Sequence, residues 1–123
     1  MSNLSLISVV DDDDSVRESL RCLIRSYGFA VEVFASAEEF LKSDHLRKTR
    51  CLILDVRMTG TNGLELQRRL AASHREIPVI FITAHGGETA RSQALKDGAV
   101  DYLLKPFREE ALLHAIHAAL DSR

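Results

Sequence analysis

In the stretch CLILD (51–55), four apolar residues run unbroken into an acid. A strand that wets one face alternates apolar and polar side chains, whereas an unbroken apolar run needs cover on both faces. LSLISVV (4–10), VIFI (79–82) and VDYLL (100–104) read the same way. VEVF (31–34) alternates apolar and charged residues instead, which places it at a sheet edge.

Between these runs the period changes to that of a helix. In 15–27, Val16, Leu20, Leu23, Ile24 and Tyr27 share one face, and Gly28 supplies the stop. The last segment repeats the pattern, with Leu112, Leu113, Ile116, Ala119 and Leu120 as the apolar stripe and Arg108, Glu109 and Glu110 in its first turn. Weaker helices are expected at 37–44, 64–73 and 88–97, the last ending at Gly98. Ser36 is the expected N-cap of the 37–44 helix, with Glu39 completing a capping box.

Strict alternation of five strands with five helices favours a parallel sheet with right-handed crossovers and helices on both faces. A closed eight-fold barrel takes about 250 residues, twice this chain. The expectation is therefore an α/β fold with an open, doubly wound five-stranded sheet, whose ligand site lies outside the carboxyl ends of the strands.

The chain has 123 residues, the size of one domain. Its 46% apolar and 28% charged content is that of a globular protein. Sixteen basic residues against 18 acidic ones give a net charge of −2, and the basic residues form no stripe, so no direct nucleic-acid binding is expected. No apolar run approaches the roughly 20 residues of a membrane span, and the first ten residues lack signal-peptide character. A cytoplasmic protein is expected. Cys22 and Cys51 form no metal-binding or disulfide pattern and read as two buried free thiols.

The strand-end rule says where chemistry should lie before residue identities are considered. The first strand runs into Asp11-Asp12-Asp13-Asp14, the third into Asp55, the fourth into Thr83 and the fifth into Lys105-Pro106. Carboxylates within about 4 Å repel by roughly 4 kcal/mol per pair at an effective dielectric near 20. A hard divalent ion that takes oxygen ligands, Mg²⁺ with Mn²⁺ as a substitute, would offset that repulsion. Asp55 is then the best placed nucleophile for an acyl phosphate, with Lys105 able to pair with Asp55 at rest and with a phosphoryl oxygen afterwards, and the Thr83 hydroxyl able to donate to another such oxygen. Asp13 and Asp14 also fit a plain role as solvated helix caps.

VVDDDDSVRESL (9–20), LILDVRMTGTNGLEL (52–66), VIFITAH (79–85) and GAVDYLLKPF (98–107) resemble the receiver domains of two-component response regulators, over essentially the whole chain. The wording of VRESL, VRM, TAH and GAVDYLLKPF is most similar to the FixJ-type branch, the NarL/FixJ group. The resemblance implies a flavodoxin-like (CheY-like) fold with strand order 2-1-3-4-5. It implies that Asp55 is phosphorylated by a sensor histidine kinase. Asp12 would bind Mg²⁺ directly, Asp11 largely through water, and the backbone carbonyl of Arg57 would be a further ligand. Thr83 would be the switch hydroxyl, Lys105 the phosphate partner, Tyr102 the aromatic that changes rotamer, and Lys105–Pro106 a cis peptide.

The resemblance also implies that residues 88–120 form the face used for a homodimer or for an output domain, which in FixJ-type proteins is a C-terminal helix-turn-helix domain. Residues 1–123 are read as the single receiver domain, with that output domain absent from them. Transcription regulation is the expected role of the full-length protein, and no turnover enzyme is expected beyond self-phosphorylation and autodephosphorylation at Asp55. A phosphatase of the haloacid dehalogenase type would carry a second Asp where Arg57 stands. The remaining alternative is a stand-alone or phosphate-independent interaction module, against which the full set of site residues argues.

Two positions depart from the family. Thr59 stands where proline is usual, and Gly87 where an acid is usual. Without the proline ring the loop after the third strand is expected to have more conformational freedom, and Gly86-Gly87 to loosen the loop after Thr83, giving a mobile loop between the fourth strand and the following helix that remodels on phosphorylation. His85 is a weaker candidate near the site, and His114 and His117 read as solvated helix residues.

Overall fold

In the computed structural model, which describes residues 4–58, 60–73, 76–84 and 87–121, strands and helices alternate throughout. The elements are β1 (Leu6–Val10), α1 (Asp14–Ser26), β2 (Ala30–Phe34), α2 (Ala37–Lys42), β3 (Thr49–Asp55), α3 (Gly63–Ala72), β4 (Val79–Thr83), α4 (Glu88–Lys96), β5 (Asp101–Leu104) and α5 (Glu109–Asp121). A 3₁₀ turn, Leu46–Lys48, precedes β3. The strand pairings are parallel and the strand order is β2-β1-β3-β4-β5. The order reverses at β1, so its end and that of β3 flank the switch point.

The sheet is covered on both faces, as the unbroken apolar runs require. Leu52 and Leu54 of β3 pack with Phe40, Leu66, Leu70, Phe81 and Tyr102 on the face of α2, α3 and α4. Cys51 and Ile53 pack with Leu20, Ile24, Ile80, Ile82, Leu112 and Ile116 on the face of α1 and α5. Each such fully buried side chain stabilises the fold by about 1.5–3 kcal/mol. β2 lies at the edge, as its alternation predicted, with Glu32 half exposed and facing His45 at 3.7 Å.

Several boundaries differ from the sequence reading, each for a local reason. β3 begins at Thr49, two residues early, because the Thr49 hydroxyl donates to the His45 carbonyl and is also in a buried 2.7 Å hydrogen bond with Ser8 Oγ. That anchoring brings a register shift between Leu6 and Ile7, with Arg50 as the extra residue. Ser36 does cap α2, its Oγ accepting from the Glu39 N–H at 3.1 Å. The reciprocal half of the expected box is missing, since Glu39 accepts from the Ala35 N–H instead. A complete capping box stands at α3, between Asn62 and Glu65. Cys22 is exposed on α1, not buried as expected, while Cys51 is fully buried and its thiol is pushed up to about 12 by burial.

Among the described residues no helix is long and apolar enough to cross a membrane. Thr59, His85 and Gly86 lie outside the described residues. Gly87 is described: it is the extended N-cap of α4 and offers no side-chain cap.

Candidate functional site

β1 delivers Asp11 to the rim. Its N–H continues the ladder to the Phe34 carbonyl, and its carboxylate is fully buried. A buried carboxylate must have partners. In Asp11, Oδ1 accepts from the Asp13 N–H at 2.9 Å, and Oδ2 accepts from Lys105 Nζ at 3.2 Å. Arg17, one turn into α1, donates to the Asp11 carbonyl at 2.6 Å and pairs with Asp14. The acidic run thus divides its labour. Asp11 points inward, Asp12 is exposed at the rim, Asp13 caps α1 by accepting from Ser15 and Val16, and Asp14 holds Arg17.

Asp55 is the last residue of β3. The next peptide, Val56 N–H, still donates to the Ile82 carbonyl of β4, so the strand is tied beyond its end. Asp55 Oδ1 accepts from the Arg57 N–H at 3.1 Å, and Oδ2 lies 3.6 Å from Lys105 Nζ. Burial, and next the negative charge of Asp11, raise its carboxyl from the ordinary 3.8 to about 6; Lys105 and the Arg57 N–H pull the other way. Gly63 makes this corner of the site feasible. Its Cα packs so closely that a Cβ would lie 2.4 Å from the Asp55 carbonyl oxygen, which no side chain tolerates.

Lys105 follows β5 and is positioned by its own N–H, which donates to the Thr83 carbonyl at 2.8 Å; its peptide to Pro106 is cis. The expected pairing with Asp55 is present as an ion pair, while the hydrogen bond itself goes to Asp11. Thr83, the last residue of β4, is buried. By strand alternation it shares a face with Phe81, which is paired in register with Tyr102 and lies 6.1 Å from its ring. Tyr102 is buried with an unpartnered hydroxyl, and burial raises its phenol above the ordinary value. Thr83 and Tyr102 therefore face the same side of the sheet, the side on which Tyr102 shares a core with Ala94 of α4.

Asp11, Asp12 and Asp55 each offer a carboxylate oxygen, all within 4.8 Å of one another. Oxygens around an octahedral ion with bonds near 2.1 Å stand about 3–4.2 Å apart, so a small closure of these side chains accommodates Mg²⁺ or Mn²⁺. An all-oxygen, carboxylate-rich set is what such an ion takes. Arg57 is exposed, and its N–H, donated to Asp55 Oδ1, holds its backbone beside that acid in an Asx turn. His114 and His117 are exposed on α5, His117 against the Phe29 ring, and neither belongs to the acidic cluster.

Arg17 is the residue that reading the sequence passed over. Its signal was the i, i+3 spacing from Asp14, readable as a helix pair but not as a hold on the Asp11 carbonyl.

The chain matches the model of the response regulator receiver domain over residues 7–117. It is 50% identical over 116 residues to the response regulator protein TodT of Pseudomonas putida strain F1, covering 94% of this chain and 51% of TodT. It is 43% identical over 114 residues to the transcriptional regulatory protein FixJ of Azorhizobium caulinodans, covering 93% and 54%. The crystal structure of FixJ-N superposes with a TM-score of 0.87 at 37% identity, covering 100% of this chain and 98% of that one. The chain spans about half the length of the curated relatives it matches. On fold, rim chemistry and these likenesses together, the chain belongs to the receiver domains of two-component response regulators, of the FixJ type.

Proposed function

We propose that Asp55 is the phosphoryl acceptor of a conformational switch, charged by a sensor histidine kinase in a reaction that needs Mg²⁺. The observation that carries the reading is the trio of buried Asp11, buried Asp55 and half-buried Lys105, with Asp12 at its edge, gathered on the rim by three different strands. Repelling carboxylates so placed lower stability, and a function explains their being kept together.

In the proposed reaction an Asp55 carboxylate oxygen attacks phosphorus, the P–N bond of the kinase phosphohistidine breaks, and the imidazole keeps the electron pair. With its carboxyl at about 6, Asp55 is about nine-tenths ionised at pH 7 and is competent as a nucleophile. A divalent ion held by Asp11, Asp12, Asp55 and the Arg57 carbonyl would neutralise charge building on the phosphoryl oxygens. Lys105 exchanges a carboxylate partner for a phosphoryl oxygen, and the Thr83 hydroxyl donates to another. Hydrolysis by water later returns inorganic phosphate and the free carboxylate.

The product of this chemistry is a shape. Moving the domain from about 1:99 to 99:1 active takes roughly 5.5 kcal/mol of differential stabilisation. Movement of Thr83 toward the phosphoryl group opens space beside Tyr102, and α4 and β5 follow. The readout surface proposed is residues 88–120, acting in homodimer formation or on a helix-turn-helix output domain that controls transcription. β5 is an edge strand there, and its Leu104 is 53% exposed.

The test is incubation with Mg²⁺ and either acetyl phosphate or beryllofluoride, followed by mass spectrometry and NMR. One stoichiometric adduct that is lost in Asp55→Asn is expected. Absence of any adduct would sink the switch and leave a phosphate-independent interaction module.

A further inference from the structure

The β3–α3 loop, residues 56–62, carries Arg57 and is fixed at both ends. At its start the Arg57 N–H is donated to Asp55, and at its close the Gly63 N–H donates to the Val56 carbonyl at 2.9 Å. Between these points the loop carries Thr59, so no proline ring restrains its backbone.

A third hold comes from a different element. Glu38, in the first turn of α2, accepts a 2.5 Å hydrogen bond from the Thr61 hydroxyl. The same carboxylate lies against Gly60, where a Cβ would come 3.6 Å from Oε1. Gly60 has φ of +84°, so the chain bends at this contact. The Thr61 hydroxyl is the main reason that the Glu38 carboxyl is held below its ordinary range, and Arg69 of α3 adds to it. Glu38 thus stands on α2 but directs its carboxylate to the loop 23 residues away.

We propose that Glu38 is a positioning residue for the divalent-cation site, holding through Thr61 the loop whose Arg57 carbonyl would complete the oxygen donors. This rests on the reading of Arg57 as a ligand given above. Partners outside the ligand set commonly govern affinity by orienting the ligands themselves.

The experiment measures melting temperature against MgCl₂ concentration for the wild type and for Thr61→Val, Thr61→Ser, Glu38→Ala and Glu38→Ala/Thr61→Val, from which a Mg²⁺ dissociation constant follows. Thr61→Val is the decisive variant because it removes the hydroxyl without altering charge. It is expected to weaken Mg²⁺ binding about three- to tenfold while leaving the metal-free melting temperature nearly unchanged. Thr61→Ser should bind like the wild type, and the double variant should bind no more weakly than Glu38→Ala. Unchanged Mg²⁺ affinity in Thr61→Val, or losses that add in the double variant, would overturn the inference. A wild type that Mg²⁺ does not stabilise at all would overturn the metal-site reading itself, and this inference with it.

Discussion

Replacing Asp55 by Asn should make the metal-free protein more stable. The substitution keeps the size of the side chain and an acceptor for the Arg57 N–H, and removes one of two buried carboxylate charges. A carboxyl moved from 3.8 to about 6 is disfavoured in its charged form by about 3 kcal/mol at neutral pH, at about 1.4 kcal/mol per pH unit. Solvent at the rim and adjustment of Lys105 screen part of this, leaving about 1–2 kcal/mol, or about 4–8 °C in melting temperature. The sign with pH follows from linkage. The folded state binds the Asp55 proton more tightly than the unfolded state, so the penalty fades below pH 3.8, grows between there and about 6, and is complete above. The advantage of Asn should therefore be full at pH 7.5, about half as large at pH 5, and about a fifth as large at pH 4. Thermal and urea unfolding in EDTA at these three pH values measure it. Adding Mg²⁺ should stabilise the wild type and not the variant. An Asn variant less stable than the wild type at pH 7.5, or an advantage that does not change with pH, refutes the reasoning.

Lys105→Met removes the strongest influence that lowers the Asp55 carboxyl, so ¹³C carboxyl shifts should follow a titration above 6 in the variant. Thr83→Ala should still form the beryllofluoride adduct yet lose any change in association that the adduct causes, read by sedimentation at matched adduct occupancy. Ile53→Ala empties a fully buried position between α1 and α5 and should cost about 2–5 kcal/mol in urea unfolding. Iodoacetamide should label Cys22 in the native state and leave Cys51 unmodified until the protein unfolds, since only Cys22 is exposed and burial holds the Cys51 thiol up at about 12; peptide mapping reads both.

The parts of the fold that were legible in the sequence are those fixed by burial on a face. CLILD must be covered twice whatever its neighbours are, and VEVF tolerates one wet side, so sheet centre and sheet edge follow from the apolar pattern alone. Ends were less legible. Thr49 and Arg50 are polar and lie outside the apolar run, yet Thr49 enters β3 opposite Leu6, its hydroxyl hydrogen-bonded to that of Ser8, a contact that spans 41 residues. Glu39 satisfied a local rule for a capping box and instead reached the Ala35 N–H, one residue earlier, which lies in the same turn and competes for the same carboxylate.

The site shows the same division more sharply. Which residues reach the rim followed from strand ends, because a parallel sheet delivers all its carboxyl ends to one side. What they do to one another did not. Lys105 was expected on Asp55 and hydrogen-bonds Asp11, the more deeply buried of the two carboxylates, where an unpaired charge costs most. Burial and the Asp11 charge raise the Asp55 carboxyl, and a Lys105 shared with Asp11 offsets them only in part, so the proposed phosphoryl acceptor is the carboxylate with the weaker partner. A nucleophile locked in a tight ion pair would have to break it before reacting. In the reaction proposed above, a Lys105 hydrogen-bonded to Asp11 leaves an Asp55 oxygen able to form the bond to phosphorus without first breaking such a pair.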